Sequence, residues 1–443
     1  MKRIYLLAYI TILCCLCPLL KAQLGPMPFT PVPPNDPSLV RLLNSDVRCR
    51  QWVDSVMQRL TLKERIGQLF IYTIAPQQDK ANKELLRKVV EDYKVGGLLF
   101  SGGLMQNQVM LTNEAQRMAE VPLMITFDGE WGLAMRLRGT PNFPRNMVLG
   151  CIQNDTLIYE YGREVARQCR ELGVQVNFNP KNPVINTRSF GESPFNVANK
   201  VVAYSKGLED GGVLSVSKHF PGHGDTDVDS HKALPVLPFT RARLDSIELY
   251  PFRKAIRAGL GGMMVGHLEV PTIEPQKGLP SSLSRKVVSG LLVNDLGFQG
   301  LVFTDALAMK GVSGNESICL QALKAGNDLL LVPRRIKEEV EAVLAAVKKG
   351  ELTEKEIEAK CRKVLKYKYA LGLEKKPHVQ LSGLGTRINT PKTRDLMRRL
   401  NLAAITVLDN RDEVLPLDPS IGEVAVLNVG EAQEIRPFLK ELS

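Results

Sequence analysis

From about residue 50 onward, two patterns of apolar and polar positions alternate along the chain. Short apolar runs at 68–72, 96–100, 122–127, 174–178, 213–218, 263–267, 301–304 and 328–332 read as strands. Between them, apolar residues recur every three or four positions over 83–93, 106–118, 157–172, 198–209, 241–258, 284–296 and 317–325, and again from 337 to about 371. These stretches predict helices. Apolar strands without strict alternation imply a parallel sheet covered on both faces. Eight strand–helix units over residues 50–372 predict an α/β fold, a (β/α)8 TIM-type barrel. A doubly wound open sheet is the alternative.

The flanks read differently. Lys2 and Arg3 precede an apolar stretch, 4–20, and Ala22 stands before Gln23, the layout of a secretory signal peptide over 1–22. An uncleaved anchor is the competing reading; the stretch is short for a membrane span and contains Pro18. Export to the periplasm or the exterior is therefore expected, with no stable membrane span after cleavage. Residues 23–49 form a Pro-rich, extended lead-in. Past 372, Lys375, Lys376 and Pro377 mark a polar linker, 373–392. A helix over 393–404 and strands over 404–408 and 423–429 then predict the start of a second α/β domain, 393–443.

Composition narrows the class. With 44% hydrophobic and 24% charged residues the chain is globular, not collagenous, coiled-coil or disordered. The net charge of +11 is spread along helical stretches without aromatic interleaving, which argues against a nucleic-acid partner. Outside the leader the cysteines are Cys49, Cys151, Cys169, Cys319 and Cys361. They are too widely spaced for a disulfide framework or a zinc pair, and buried thiols are expected.

Candidate chemistry collects at strand ends. Asp128-Gly129-Glu130 follows the third strand, and Arg188 to Glu192 lies beyond the fourth. Lys218-His219 ends the fifth, His267 the sixth, and Asp305 follows the seventh. In a barrel these ends open into one mouth. Four of the five histidines fall between 219 and 267, and the loop 218–231, KHFPGHGDTDVDSH, holds three of them. Two readings of that loop stand: metal binding by His and Asp, or proton transfer with Asp229 orienting His231. The calcium-loop template fails, since Ser230 and Val236 occupy the positions that need Gly and Glu.

That loop resembles the signature of family 3 glycoside hydrolases, in the β-N-acetylglucosaminidase branch. TLKERIGQLF (61–70), VGGLLF (95–100), FDGEWGLAMR (127–136), NPVINTRSFGESP (182–194), MMVGHLEVP (263–271) and LVFTDALAMKGV (301–312) resemble family segments in the same order. ITVLDNRDEVLPL (405–417) is similar to the entry of the family's second domain. The resemblance implies a retaining, exo-acting hydrolase of terminal β-linked N-acetylglucosamine, acting on an oligosaccharide or muropeptide. Asp305 is implied as nucleophile, and His231 assisted by Asp229 as acid/base. Asp128, Arg136, Arg188, Lys218, His219 and His267 are implied as sugar contacts. No cofactor or metal is implied. Glu130 and Glu192 are the next carboxylates to consider for the acid/base role. A family 3 β-glucosidase or xylosidase, and a barrel that holds sugar without cleaving it, are the alternatives. The chain departs from the family after Asn177-Phe178, where a longer insert is usual, and at Trp131 and Ala308. The first departure puts the upper end of strand four in question.

Overall fold

A computed structural model describes residues 38–41, 45–180, 186–224, 234–309, 311–312, 317–407 and 410. Eight parallel strands form its centre: β1 (Phe70–Ile74), β2 (Gly97–Phe100), β3 (Met124–Phe127), β4 (Val176–Pro180), β5 (Leu214–Phe220), β6 (Gly262–Val265), β7 (Leu301–Thr304) and β8 (Leu330–Leu331). Each pairs in parallel with its sequence neighbour from β1 to β7, and β8 pairs with β1. A bridge between Phe303 and Leu329 joins β7 to the start of β8 and closes the ring. The chain is a (β/α)8 barrel.

All eight strands fall on the apolar runs. β8 is the shortest strand, and Asp328 just before it ties it to β7: its carboxylate accepts from the Val302 amide at 2.9 Å and from Lys363 at 2.7 Å. β4 reaches Pro180, pairing with β5 from Val176–Leu214 through Pro180–Lys218. The short loop after Phe178 therefore leaves the upper end of strand four in place; 181–185 lie outside the described residues.

The helices depart from expectation in three places. The stretch from 337 to 371 is two helices, Ile336–Lys348 and Glu354–Ala370. Gly350, at φ +76°, ends the first, and a reciprocal Thr353–Glu356 cap starts the second. The 241–258 helix widens into a π-turn at Leu244–Glu248 ahead of Pro251, which has no amide hydrogen to continue a regular ladder. The 284–296 helix is wound as a π-helix over Lys286–Asp295.

The flanks also differ. The lead-in expected to be extended is helical at Ser38–Arg41, and Asp46 caps a helix over Val47–Arg59. The expected linker and the helix after it belong to the barrel body. Leu384–Ile388 and Pro391–Ala404 dock on helix Asp155–Glu171. Arg167 donates to the Arg387 carbonyl at 2.6 Å, Thr393 to Glu164 at 2.6 Å, and Arg399 pairs with Glu160 at 2.7 Å. Leu384, Ile388, Leu396 and Leu400 are buried there. The compact unit runs to Ala404 rather than ending at 372. The expected strand over 423–429 lies outside the described residues, as does the signal segment 1–22.

Cys49, Cys169, Cys319 and Cys361 are buried free thiols; Cys151 is exposed. Among the described residues no helix is long and apolar enough to cross a membrane.

Candidate active site

The mouth at the strand C-termini is built on β3, β4 and β5. Asn177 on β4 clamps the loop after β3: its side chain accepts from the Gly129 amide at 2.9 Å and donates to the Gly129 carbonyl at 3.0 Å. This two-point bond sets the residues on either side of Gly129, Asp128 and Glu130, at the mouth.

Asp128 takes Lys218 on one carboxylate oxygen and Arg136 on the other. Glu130, fully buried, takes Arg188 in a two-pronged pair at 2.8 and 2.6 Å, and Lys218 at 2.9 Å. Lys218 therefore bridges both carboxylates. Burial alone would raise the pKa of Asp128, but Lys218 and Arg136 outweigh it and hold the group down at about 2. Burial likewise opposes the charge on Lys218, and Asp128 and Glu130 restore it, so its pKa is raised. The Glu130 hydrogen bonds raise that of Arg188. Asp128 is thus a fixed anion with its two oxygens already oriented. Glu130 is committed to Arg188 and Lys218, and Glu192 is exposed.

Asp305 follows β7. Its amide donates to the Val265 carbonyl at 2.9 Å, and its Oδ1 accepts from the Ala306 amide at 2.8 Å. Its Oδ2 lies 3.8 Å from His219 Nε2. His219 is buried, and desolvation, with Lys218, His223 and Arg188 nearby, pushes its pKa well below the usual imidazole value. A neutral imidazole therefore faces the carboxylate. The His219 and His223 rings meet edge to face, with centroids 5.6 Å apart. The peptide bonds Lys218–His219 and Phe220–Pro221 are cis.

Asp128, Arg136, Arg188, Lys218, His219 and Asp305 thus share one mouth. His267 sits at the end of β6, with Nδ1 2.7 Å from Ser282 Oγ and Nε2 3.0 Å from the Ala306 carbonyl. Its described partners are protein groups, not an open cavity. Asp229 and His231 lie outside the described residues. Among the described residues no group of three or more His, Cys, Asp or Glu could hold a metal ion. Trp131 is half-buried under the Arg145 guanidinium, 3.7 Å from the ring centre.

Sequence reasoning placed Glu130 at the mouth and named it as a spare acid, not as the partner of Arg188 and Lys218, and it missed the roles of Asn177 and Ser282. Glu130 had a signal, since it shares a motif with Asp128. Asn177 and Ser282 had none, because their partners are remote in sequence.

A cleft of about 1000 Å³ opens at the opposite end of the barrel, beside Val174, Gly211 and Gly212, which precede β4 and β5. Chemistry in such barrels sits at the other end. The size of this cleft does not outweigh the convergent charges at the mouth.

A closed (β/α)8 barrel with paired carboxylates and cations at its C-terminal mouth is the class this fold and site define. The glycosyl hydrolase family 3 N terminal domain matches residues 61–367, and the chain belongs to that family. Beta-hexosaminidase A of Pseudoalteromonas piscicida is 32% identical over 375 residues, 75% of this chain and 62% of that protein. The chain therefore spans less than two thirds of that relative. A beta-N-acetylglucosaminidase/beta-glucosidase of Cellulomonas fimi is 25% identical over 388 residues, 83% of this chain and 68% of that protein. The solved family 3 beta-N-acetylglucosaminidase from Paenibacillus sp. str. FPU-7 superposes with a TM-score of 0.72 at 36% identity, covering 78% of this chain and 69% of that one.

Proposed function

We propose that the protein is a retaining, exo-acting glycosidase that releases terminal β-linked N-acetylglucosamine from an oligosaccharide or muropeptide. The observation that carries this reading is the mouth itself. Asp305 stands on a pinned backbone at the end of β7, opposite the Asp128–Lys218–Glu130–Arg188 network. Family membership and the β-hexosaminidase relatives support it.

Each chain residue has a defined task. Asp128 accepts from sugar hydroxyls, and Arg136, Arg188, Lys218 and His219 complete the sugar contacts. The Asp305 carboxylate attacks the anomeric carbon as the bond to the leaving oxygen breaks, giving a covalent glycosyl-enzyme. His231, oriented by Asp229, gives its proton to that oxygen. In the second step neutral His231 takes a proton from water, the water attacks the anomeric carbon, and Asp305 is released. Export through the leader and a second α/β unit over 405–443 belong to the same proposal.

The test uses the chain with a chromogenic β-N-acetylglucosaminide and the matching β-glucoside. Turnover of the first and several orders of magnitude less with Asp305→Ala are expected. His231→Ala should slow substrates with poor leaving groups far more than nitrophenyl ones, and azide should restore the nitrophenyl rate. A uniform loss without azide rescue would remove His231 from the acid/base role. Turnover of the glucoside alone would move the chain to a β-glucosidase, a reading that the Cellulomonas relative's double name keeps in view.

A further inference from the structure

We propose that His267 is a positioning residue: it holds the Asp305 carboxylate in one orientation through the backbone of Ala306, anchored at its far side by Ser282. This rests on the reading of Asp305 as the nucleophile.

The His267 ring is buried and has a polar partner on each nitrogen, the Ser282 hydroxyl at 2.7 Å and the Ala306 carbonyl at 3.0 Å. A carbonyl only accepts, so Nε2 carries a proton and donates it there. Ser282 is a firm anchor. It lies in a short 3-10 turn, Ser281–Leu283; its carbonyl accepts from Asn327 at 2.8 Å, and the adjacent Ser281 amide donates to the Leu268 carbonyl at 2.7 Å.

At the other end, Asp305, Ala306 and Leu307 form a short pinned segment. The Asp305 amide is bonded to Val265 on β6, and the Leu307 amide to Leu331 on β8, each at 2.9 Å. The Ala306 amide holds Asp305 Oδ1 at 2.8 Å. Between the two pins the Ala306 carbonyl accepts from the Met309 amide at 3.1 Å, within its own loop, and from His267 at 3.0 Å, which ties it to the loop after β6. The two oxygens of Asp305 thereby become inequivalent: Oδ1 is held by the backbone, and Oδ2 faces His219. In-line attack on an anomeric carbon is steeply sensitive to such placement; a shift of about 1 Å can cost about 10²-fold. A sugar contact by His267 would instead need a ring nitrogen released from Ser282 or Ala306.

The test follows formation of the glycosyl-enzyme from a 5-fluoro N-acetylglucosaminyl fluoride. The carboxylate displaces fluoride, the mass rises by one glycosyl group, and peptide mapping locates it. Wild-type protein should be labelled on Asp305. His267→Ala should lower the maximal labelling rate by about 10²-fold while the half-saturating concentration stays within about twofold. His267→Gln keeps an N–H able to reach the carbonyl and should recover at least tenfold of that loss. Ser282→Ala should give a smaller drop of the same kind. A raised half-saturating concentration at an unchanged maximal rate would make His267 a sugar contact and overturn the proposal. So would a lowered melting temperature with an unchanged labelling rate per folded molecule. If His267→Ala does not fold, wild-type labelling rates in both His267→Gln and Ser282→Ala would overturn it. Wild-type labelling on another residue, or none, would instead reject Asp305 as nucleophile, whatever the His267 variants do.

Discussion

Lys218 is the residue on which the mouth turns. Buried at the end of β5, it bridges Asp128 and Glu130, which in turn hold Arg136 and Arg188. Three carboxylates, counting Asp305, face three permanent cations, and His219 stays neutral. A buried network of this kind is costly to leave half-made, because removing one partner strands a charge, at about 3–5 kcal/mol. The titration of Asp128 provides a direct check. Its pKa is held at about 2 in the folded protein, below the ordinary carboxylate value of 3.8. A depressed carboxylate adds stability that is present above its unfolded pKa and lost as pH falls through the folded one. Chemical denaturation between pH 5 and pH 2 should therefore show wild-type protein losing stability below about pH 4 that Asp128→Asn does not lose. Parallel pH curves for the two proteins would mean that the ion pairs contribute nothing to the folded state.

At the scale of elements, the strands were legible because each is a short apolar run, and a parallel barrel buries both strand faces. The polar residues at the ends of β3, β5 and β7 were legible as a mouth for the same reason, since the fold turns sequence phase into spatial direction. Helix breaks were harder to read: Gly350 and the Thr353–Glu356 cap are local signals inside a long apolar periodicity that masks them. Least legible were tertiary pairings such as Asn177 with Gly129, or His267 with Ser282 and Ala306. A histidine at a strand end looks the same in sequence whether it faces a ligand or a serine.

Helix Glu354–Ala370 carries a further such pairing at the barrel's other end. Lys368 is fully buried and donates to Gln68 at 2.7 Å, and burial lowers its pKa to about 7. Between about pH 7 and the unfolded value of 10.5, the unfolded chain holds a proton that the folded protein does not, so stability rises with pH across that window. Lys368→Met should raise the melting temperature most at and below pH 7, with the gain shrinking toward pH 10. A gain independent of pH would show that Lys368 is charged in the folded protein and neutralised by a partner.

At the scale of the whole molecule, the barrel and the helices through Ala404 form one compact unit. Helix Pro391–Ala404, expected to open a second domain, covers instead the flank of helix Asp155–Glu171. The two ends of the barrel then divide the work. One end is held by buried pairings such as Lys368 with Gln68, and the other gathers the charged groups of the mouth. Asp305 as nucleophile requires double displacement at the anomeric carbon, so the sugar must leave with the configuration it had on arrival. Proton NMR of the first-formed sugar, recorded before mutarotation, reads this out. Release of the β-anomer of N-acetylglucosamine from a β-N-acetylglucosaminide is the expected result; the α-anomer as first product would contradict a covalent intermediate on Asp305.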